Sequence, residues 1–199
     1  MALMPMPLDA MSELSDEALL RACAGGDRQA VRVLTERLTP RVLGFAARML
    51  GDRSEAEDVA QEAMLRLWQI APKWRQGEAR VTTWLYRVVS NLCTDRLRAR
   101  GRGVPLEHAG EPADGAPSVL ACLAERERVA ALEAALANLP ARQRQAVVLR
   151  HMEGCSNPEI ARVMEISVEA VESLTARGKR SLAATLAARR AELGYDDDD

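Results

Sequence analysis

Residues 73–102 read KWRQGEARVTTWLYRVVSNLCTDRLRARGR, and their pattern decides how the rest of the chain is taken. Val81, Leu85, Val88 and Leu92 recur at steps of four and three, the period of one helical face. At roughly 100° per residue, Arg80, Arg87, Asn91 and Arg98 fall within about 20° of one line, and the apolar four are centred about 110° away. One amphipathic helix to about Arg100 is predicted, with a packing face and a separate cationic face. The stretch holds eight Lys/Arg against two acids, Glu78 and Asp95, and three of the chain's six aromatics, Trp74, Trp84 and Tyr86. Guanidinium groups suit phosphates, an amide such as Asn91 suits a base edge, and flat rings stack on unpaired bases. The plainer alternative is a solvated charge stripe, but such stripes usually mix both signs, and here Asp95 alone offsets the basic set. Trp84 lies toward the apolar face and is expected to be partly core. Trp74 sits in a loop and Tyr86 lies away from the apolar arc, so both are candidates for stacking. The loop 73–80 is expected to read bases.

Toward the N-terminus the chain stays helical. Residues 1–14, with Met1, Met4, Met6, Met11, Pro5 and Pro7, read as a disordered leader. Ser15 is a plausible N-cap for a short helix ending at Gly25-Gly26, and Asp27 caps the next, which runs to about Leu50. Pro40 lies inside that run, so a kink or break is expected there. Ser54 and Glu57 have capping-box spacing for a third helix with the stripe Val59, Ala63, Leu67 and Ile70, closed by Pro72. The acids Glu55, Glu57, Asp58 and Glu62 lack the partners of a catalytic or metal cluster. They suit a solvated first helical turn or a docking surface for a basic partner.

Toward the C-terminus, residues 101–118 contain seven Gly or Pro and lose all apolar periodicity, which marks a flexible linker and a domain boundary. Helices resume near Val119 and run to Asn138. Another extends from Leu139-Pro140 to about Met152, followed by a turn at Glu153-Gly154. Ser156 and Glu159 form a second capping-box pattern, Glu165-Ile166 makes a tight turn, and Ser167 caps a last helix to about Glu192. Residues 156–182 thus have the layout of a helix-turn-helix, with Ile160, Ala161, Ile166, Val168, Val171 and Leu174 as its small core. Its exposed second-helix face would offer Glu169, Glu172, Ser173, Ala176, Arg177, Lys179 and Arg180 to the major groove. A generic helical hairpin is the alternative.

Composition agrees with an all-α chain, since Ala, Leu, Arg and Glu dominate and period-two alternation is scarce. The net charge of −2 hides a pattern: residues 73–102 carry +6, 103–124 carry −3, 125–190 carry +3, and the last nine residues carry −5. Local field, not net charge, governs contact with DNA. Cys23, Cys93, Cys122 and Cys155 are scattered without a CxxC, and there is no signal peptide and no apolar run near eighteen residues. A cytoplasmic protein with reduced thiols, not inserted in a membrane, is expected. His151 and Cys155 are four apart but have no further ligands, so no metal or other cofactor is expected. An enzyme is disfavoured, because no nucleophile–base pair or phosphate loop is apparent.

These residues together resemble a bacterial RNA polymerase sigma factor of the extracytoplasmic-function type, in the sigma-70 superfamily. AEDVAQEAMLRLW (56–68) resembles the family's core-polymerase-binding segment, TTWLYRVVSNLCTDRLR (82–98) its promoter-melting and −10-reading segment, and LPARQRQAVVLRHMEGCSNPEIARVMEISVEAVESLTARGKRSL (139–182) its −35-reading domain. The likeness spans about residues 15–190. It implies two small helical domains, a region 2-like unit over 15–101 and a region 4-like helix-turn-helix unit over 125–192. They are joined by a linker over 102–124, with an acidic tail over 193–199. By position it implies polymerase contact through Glu55, Glu57, Asp58, Gln61, Glu62 and Leu65. It implies −10 contact through Lys73, Trp74, Arg75, Arg80, Arg87, Asn91, Arg96 and Arg98, with the loop taking a flipped base. It implies −35 contact through Ser167, Glu169, Glu172, Ser173, Ala176, Arg177, Lys179 and Arg180. Many members carry basic residues where this chain has Glu172 and Leu174, and Glu172 could instead accept from a cytosine amine. Core RNA polymerase, promoter DNA and an anti-sigma protein are the implied partners, and the acidic linker would thread toward the polymerase's RNA exit path. Two other readings compete: a helix-turn-helix regulator acting without polymerase, and a sigma-like decoy for an anti-sigma protein. The first would not need the 56–68 helix or the basic stretch, and the second should have lost its DNA-facing cations.

Overall fold

The computed structural model describes residues 11–75, 77, 80–100 and 119–187. All regular structure among them is helical: α1 Asp16–Ala24, α2 Arg28–Leu50, α3 Arg53–Ile70, a 3-10 turn Ala71–Lys73, α4 Val81–Arg100, α5 Val119–Ala137, α6 Ala141–His151, α7 Asn157–Met164 and α8 Val168–Ala187. Residues 1–10, most of the segment 102–124 and the acidic tail lie outside the described residues. Helix α5 already covers 119–124 of that segment.

Short polar residues start most of these helices by satisfying amide groups that the first turn leaves open. Ser15 accepts from the Ala18 amide, and Asp27 from those of Gln29 and Ala30. Ser156 and Glu159 form the expected capping box, with Pro158 in the first turn. Helix α3 departs from expectation. Its cap is Asp52, which accepts from the Glu55 amide at 2.9 Å, while Glu57 pairs with Arg53 across one turn. The aspartate sits two residues closer to the Gly51 break, directly before the first helical residue, so it captures the open amides in place of Ser54. At Gly51, φ of 65° lets the chain reverse in the left-handed region without a side-chain clash.

Two further expectations are not met in full. Helix α2 runs without a break through Pro40. Pro40 and Glu36 are exposed, so the Glu36 carbonyl that loses its partner faces water, while buried Leu34, Leu38, Val42 and Phe45 anchor the helix on its other side. The ordered chain also begins before Ser15. Met11 is buried, and Arg37 holds the segment by donating to the carbonyls of Leu14 and Ser12 and to the Asp16 carboxylate at 2.7–2.9 Å. Backbone groups with no helical partner are satisfied by that guanidinium.

Helices α1 to α4 form one bundle, with α2 central to it, and α6 to α8 form a second unit with α5 against it. Val171 is fully buried between the helix-turn-helix elements. At Gly178 the last helix crosses α6 at close range: a β-carbon there would meet Val147 Cγ2 at 2.6 Å and the Gln143 carbonyl at 3.3 Å. The two units also touch. A single cluster of buried side chains runs from the first through Leu136, Leu139, Ala146 and Leu149 into Ile160 and Val163. Helix α7 lies against α4, and α6 against α2.

Candidate nucleic-acid and polymerase interface

Helix α4 is held at its start by α1, where the Val81 amide donates to Glu17 at 3.2 Å, an acid at a helix N-terminus. Val81, Leu85 and Val89 are buried, but burial extends well past the expected apolar arc to Tyr86, Ser90 and Thr83. The reason is the second unit, which covers that side. Gln145 donates to Ser90 Oγ at 2.9 Å, a buried contact, and Tyr86 donates its phenolic hydrogen to Glu153. Tyr86 is therefore not a free stacking ring. It packs edge-on against Phe45 at 5.4 Å, Arg41 lies 5.9 Å from its centroid, and its ionisation is pushed far up by desolvation and then by Glu153.

The cationic line survives as an exposed face. Arg80, Arg87, Asn91 and Arg98 are all exposed on α4 or at its start. Arg80 pairs with Glu159 at 3.2 Å, Arg87 with Glu165, and Arg98 with Asp95 at 3.8 Å. Arg96 does not join them. It points to the opposite side, is half-buried, and donates to the Glu55 carbonyl. That places Arg96 in the α3–α4 packing, where it holds the start of α3.

In the loop, Lys73 and Arg75 are exposed and Trp74 is half-buried. Trp74 meets Trp84 edge-to-face at 6.0 Å, and its indole N–H has no hydrogen-bond partner among the described residues. Both rings pack against the core, so Trp84 is partly core as expected and Trp74 is anchored there as well. Gln76, Glu78 and Ala79 lie outside the described residues.

On the other side of the first unit, Glu57, Asp58 and Gln61 are exposed on α3, and Leu65 is 49% exposed. Leu65 edges a shallow groove with Leu43, Ala60, Met64 and Trp68, between α2 and α3. Apolar surface rimmed by acids is what a docking surface for a basic helix offers. Three of the acids have partners: Glu57 pairs with Arg53, Glu62 with Arg66, and Glu55 with Arg100 at 2.9 Å. Glu55 thus belongs to the α3–α4 junction.

In the second unit, Glu169, Glu172, Ser173, Ala176, Arg177, Lys179 and Arg180 are exposed on one side of α8, with Val171 and Gly178 buried on the other. Ser167 accepts from the Ala170 amide and so caps this helix as well as sitting beside its exposed face. Glu165, at φ 53°, makes the tight turn. Asn157 Nδ2 donates to Glu172 at 3.3 Å, and Arg177 donates to Ser173, so two polar groups of the face are already oriented.

Arg144 and Glu153 were not singled out by sequence. Arg144 is partly buried and donates to carbonyls of Met49, Ala137 and Leu139, so one guanidinium caps the ends of α2 and α5. Its pKa is lowered by desolvation. Glu153, only 6% exposed, receives Tyr86 and lies near Arg48 at 3.6 Å and Arg41 at 4.0 Å. Its partners lie 67 or more residues back in the chain, so no local pattern signals it. Among the described residues no group of His, Cys, Asp and Glu could hold a metal ion, and no described helix is long and apolar enough to cross a membrane.

Comparison with known proteins accounts for both units. The sequence pattern of Sigma-70 region 2 matches residues 34–103, and that of Sigma-70, region 4 matches residues 129–182. The chain is 38% identical over 175 residues to the ECF RNA polymerase sigma factor SigM of Mycobacterium tuberculosis, covering 87% of this chain and 86% of that protein. It is 30% identical to the RNA polymerase sigma-H factor of Pseudomonas aeruginosa, covering 86% and 94%. CnrH, solved in complex with the cytosolic domain of CnrY, superposes with a TM-score of 0.65 at 26% identity, over 87% of this chain and 97% of that one. The sigma factor RpoE of Bartonella quintana, solved with the anti-sigma factor NepR, shares the fold with a TM-score of 0.64 at 24% identity, over 76% and 93%.

Proposed function

The chain belongs to the extracytoplasmic-function sigma factors of the sigma-70 family, and from that membership we propose that it binds core RNA polymerase and directs promoter-specific initiation. One observation carries the proposal. Similarity to a whole sigma factor runs across both units, through the docking helix and the basic stretch as well as the helix-turn-helix. A regulator working without polymerase would need only the last of these, and a decoy would not keep exposed Arg80, Arg87 and Arg98.

In this reading the groove beside Leu65, with Glu57, Asp58 and Gln61, docks on core polymerase. Arg80, Arg87, Asn91 and Arg98 grip the non-template strand near −10, and Trp74 with Lys73 and Arg75 borders the flipped base. Helix α8 enters the major groove at −35, where Glu172, steadied by Asn157, is placed to accept from a cytosine amine. Arg96 and Glu55 hold the α3–α4 junction. The protein acts by binding, not by catalysis, and works in the cytoplasm. An anti-sigma protein is its natural antagonist, as NepR is for the RpoE it was solved with.

The test is initiation in a purified system. With core polymerase and a library of promoter fragments, the protein should yield discrete transcripts that neither core nor protein yields alone. Tight duplex binding without core, and no transcript with it, would favour the regulator.

A further inference from the structure

The exposed face of α8 changes sign along its length. From Val168 to Ala176 the helix carries two acids, Glu169 and Glu172, and no basic residue, while Arg177, Lys179 and Arg180 follow. In a helix-turn-helix the N-terminal part of the second helix meets base edges, and an ionised carboxylate placed there can only accept hydrogen bonds. The two acids are held differently. Glu169 accepts from its own amide and then from the Ser167 hydroxyl, which hold its carboxyl below the ordinary value, so it belongs to the start of the helix. Glu172, about one turn on, is exposed, and its Oε1 accepts from Asn157 Nδ2 at 3.3 Å. Asn157 opens α7, where the Ser156–Glu159 box fixes the backbone, and buried Val171 and Gly178 fix α8. A neutral donor thus orients the acid without neutralising it, and among the described residues Oε2 is left without a partner. Arg177, the first cation after Glu172 on the face, is drawn back onto Ser173, through its Oγ at 2.8 Å and its carbonyl at 3.3 Å.

Base-edge chemistry then selects cytosine. Its major-groove edge offers the N4 amine with no acceptor of its own, whereas adenine sets N7 beside its amine, guanine presents two acceptors, and thymine an acceptor and a methyl group. We propose that Asn157 and Glu172 form one reading unit divided between the two helices, with Asn157 as a positioning residue and Glu172 as the specificity-determining acceptor for one cytosine amine of the −35 element. This rests on α8 entering the −35 groove. Part of the sequence preference therefore lies outside the recognition helix, on α7. The DNA itself gains a switch as well. One amine hydrogen pairs with guanine and the other points into the groove, so a methyl group on N4 replaces the hydrogen that Glu172 needs. A promoter methylated at that amine is refused.

The test uses core polymerase reconstituted with the full chain, and barcoded promoter templates whose −35 segment is randomised. Transcript counts give the base preference at each position, and circular dichroism confirms that each variant is folded. Wild type should prefer cytosine at one position by about tenfold. Glu172→Gln should move that preference toward adenine, whose N6 and N7 suit an amide, and leave the other positions as they were. Asn157→Ala should reduce the cytosine preference several-fold, and Asn157→Gln, which restores a donor, should recover part of it. N4-methylcytosine at that position should cost wild type about tenfold and Glu172→Ala almost nothing. A rise on all sequences alike in Glu172→Ala marks a carboxylate that merely repels phosphates, and overturns the proposal. A fall on all sequences alike in Asn157→Ala marks a purely structural residue and does the same, as does a methyl penalty that persists in Glu172→Ala. If no template supports initiation, the sigma factor reading fails and the reading unit falls with it. Initiation with no preference that depends on residue 172 sinks the reading unit alone.

Discussion

Gly178 and Val147 lie so close that the glycine's missing side chain is part of the packing: a β-carbon at 178 would stand 2.6 Å from Val147 Cγ2. The neighbouring Gln143 carbonyl, at 3.3 Å, blocks the other way out. Alanine is the better helix former by up to about 1 kcal/mol, but forced overpacking costs about 1–3 kcal/mol. Gly178→Ala is expected to lower stability in urea unfolding, and Val147→Ala in the same chain should recover part of the loss. A stabilised Gly178→Ala would mean that α6 and α8 can separate at no cost.

The docking groove can be tested apart from folding. Leu65 is 49% exposed, so Leu65→Asp should change stability by no more than about 0.5 kcal/mol. Against core polymerase, a carboxylate at the edge of an apolar groove should weaken binding by about tenfold or more. Titration of labelled protein with core enzyme measures this, and unchanged affinity would move the docking surface elsewhere.

Glu159 gives a pH signature. Its carboxylate is held below the ordinary value of 4.5, first by the Ser156 hydroxyl and then by the Ser156 amide. A depressed carboxylate contributes stability that is fully present above the unfolded value and is lost as pH falls through the folded one. The stability difference between wild type and Glu159→Gln should therefore be constant above about pH 5.5 and shrink as the solution is acidified below the ordinary carboxylate range. A difference that stays level down to pH 3 would rule out the charged cap.

The thiols should be slow. Burial pushes Cys93 up to about 12 and Cys155 and Cys23 up to about 11. At pH 8 the thiolate fraction is then about one in a thousand or less, against roughly a quarter for an ordinary thiol. In a Cys122→Ser background, reaction with a chromogenic disulfide should take place mainly after unfolding in urea. Rapid labelling of the folded protein would restore the cysteines as redox-sensor candidates.

Local chemistry made much of the fold readable in advance. Ser15, Asp27 and the Ser156–Glu159 box each act within one turn, so their partners are visible in the sequence. Ser54 misled because its spacing to Glu57 imitates a capping box while Asp52 stands nearer the helix start. Tyr86 misled for a different reason. Its helical angle places it away from the expected apolar arc, and its burial comes from distant partners, Phe45 on α2 and Glu153, 67 residues on. Arg96 belongs to the same class, since its acceptor is 41 residues away on α3. The cationic line of α4 and the polar face of α8 were legible because exposure to solvent leaves their periodicity intact. The contacts between the units were not, because they obey no period.

Arg144 bears on how easily the units part. Of its three carbonyl acceptors, one, Met49, belongs to the first unit, while Ala137 and Leu139 belong to the second. Separation would strip it of one acceptor and leave two, so the guanidinium is not stranded and water can take the vacated place. The joint is therefore reversible by construction. It resembles a snap fastener more than a weld, because the two units can part and rejoin there without unfolding either half.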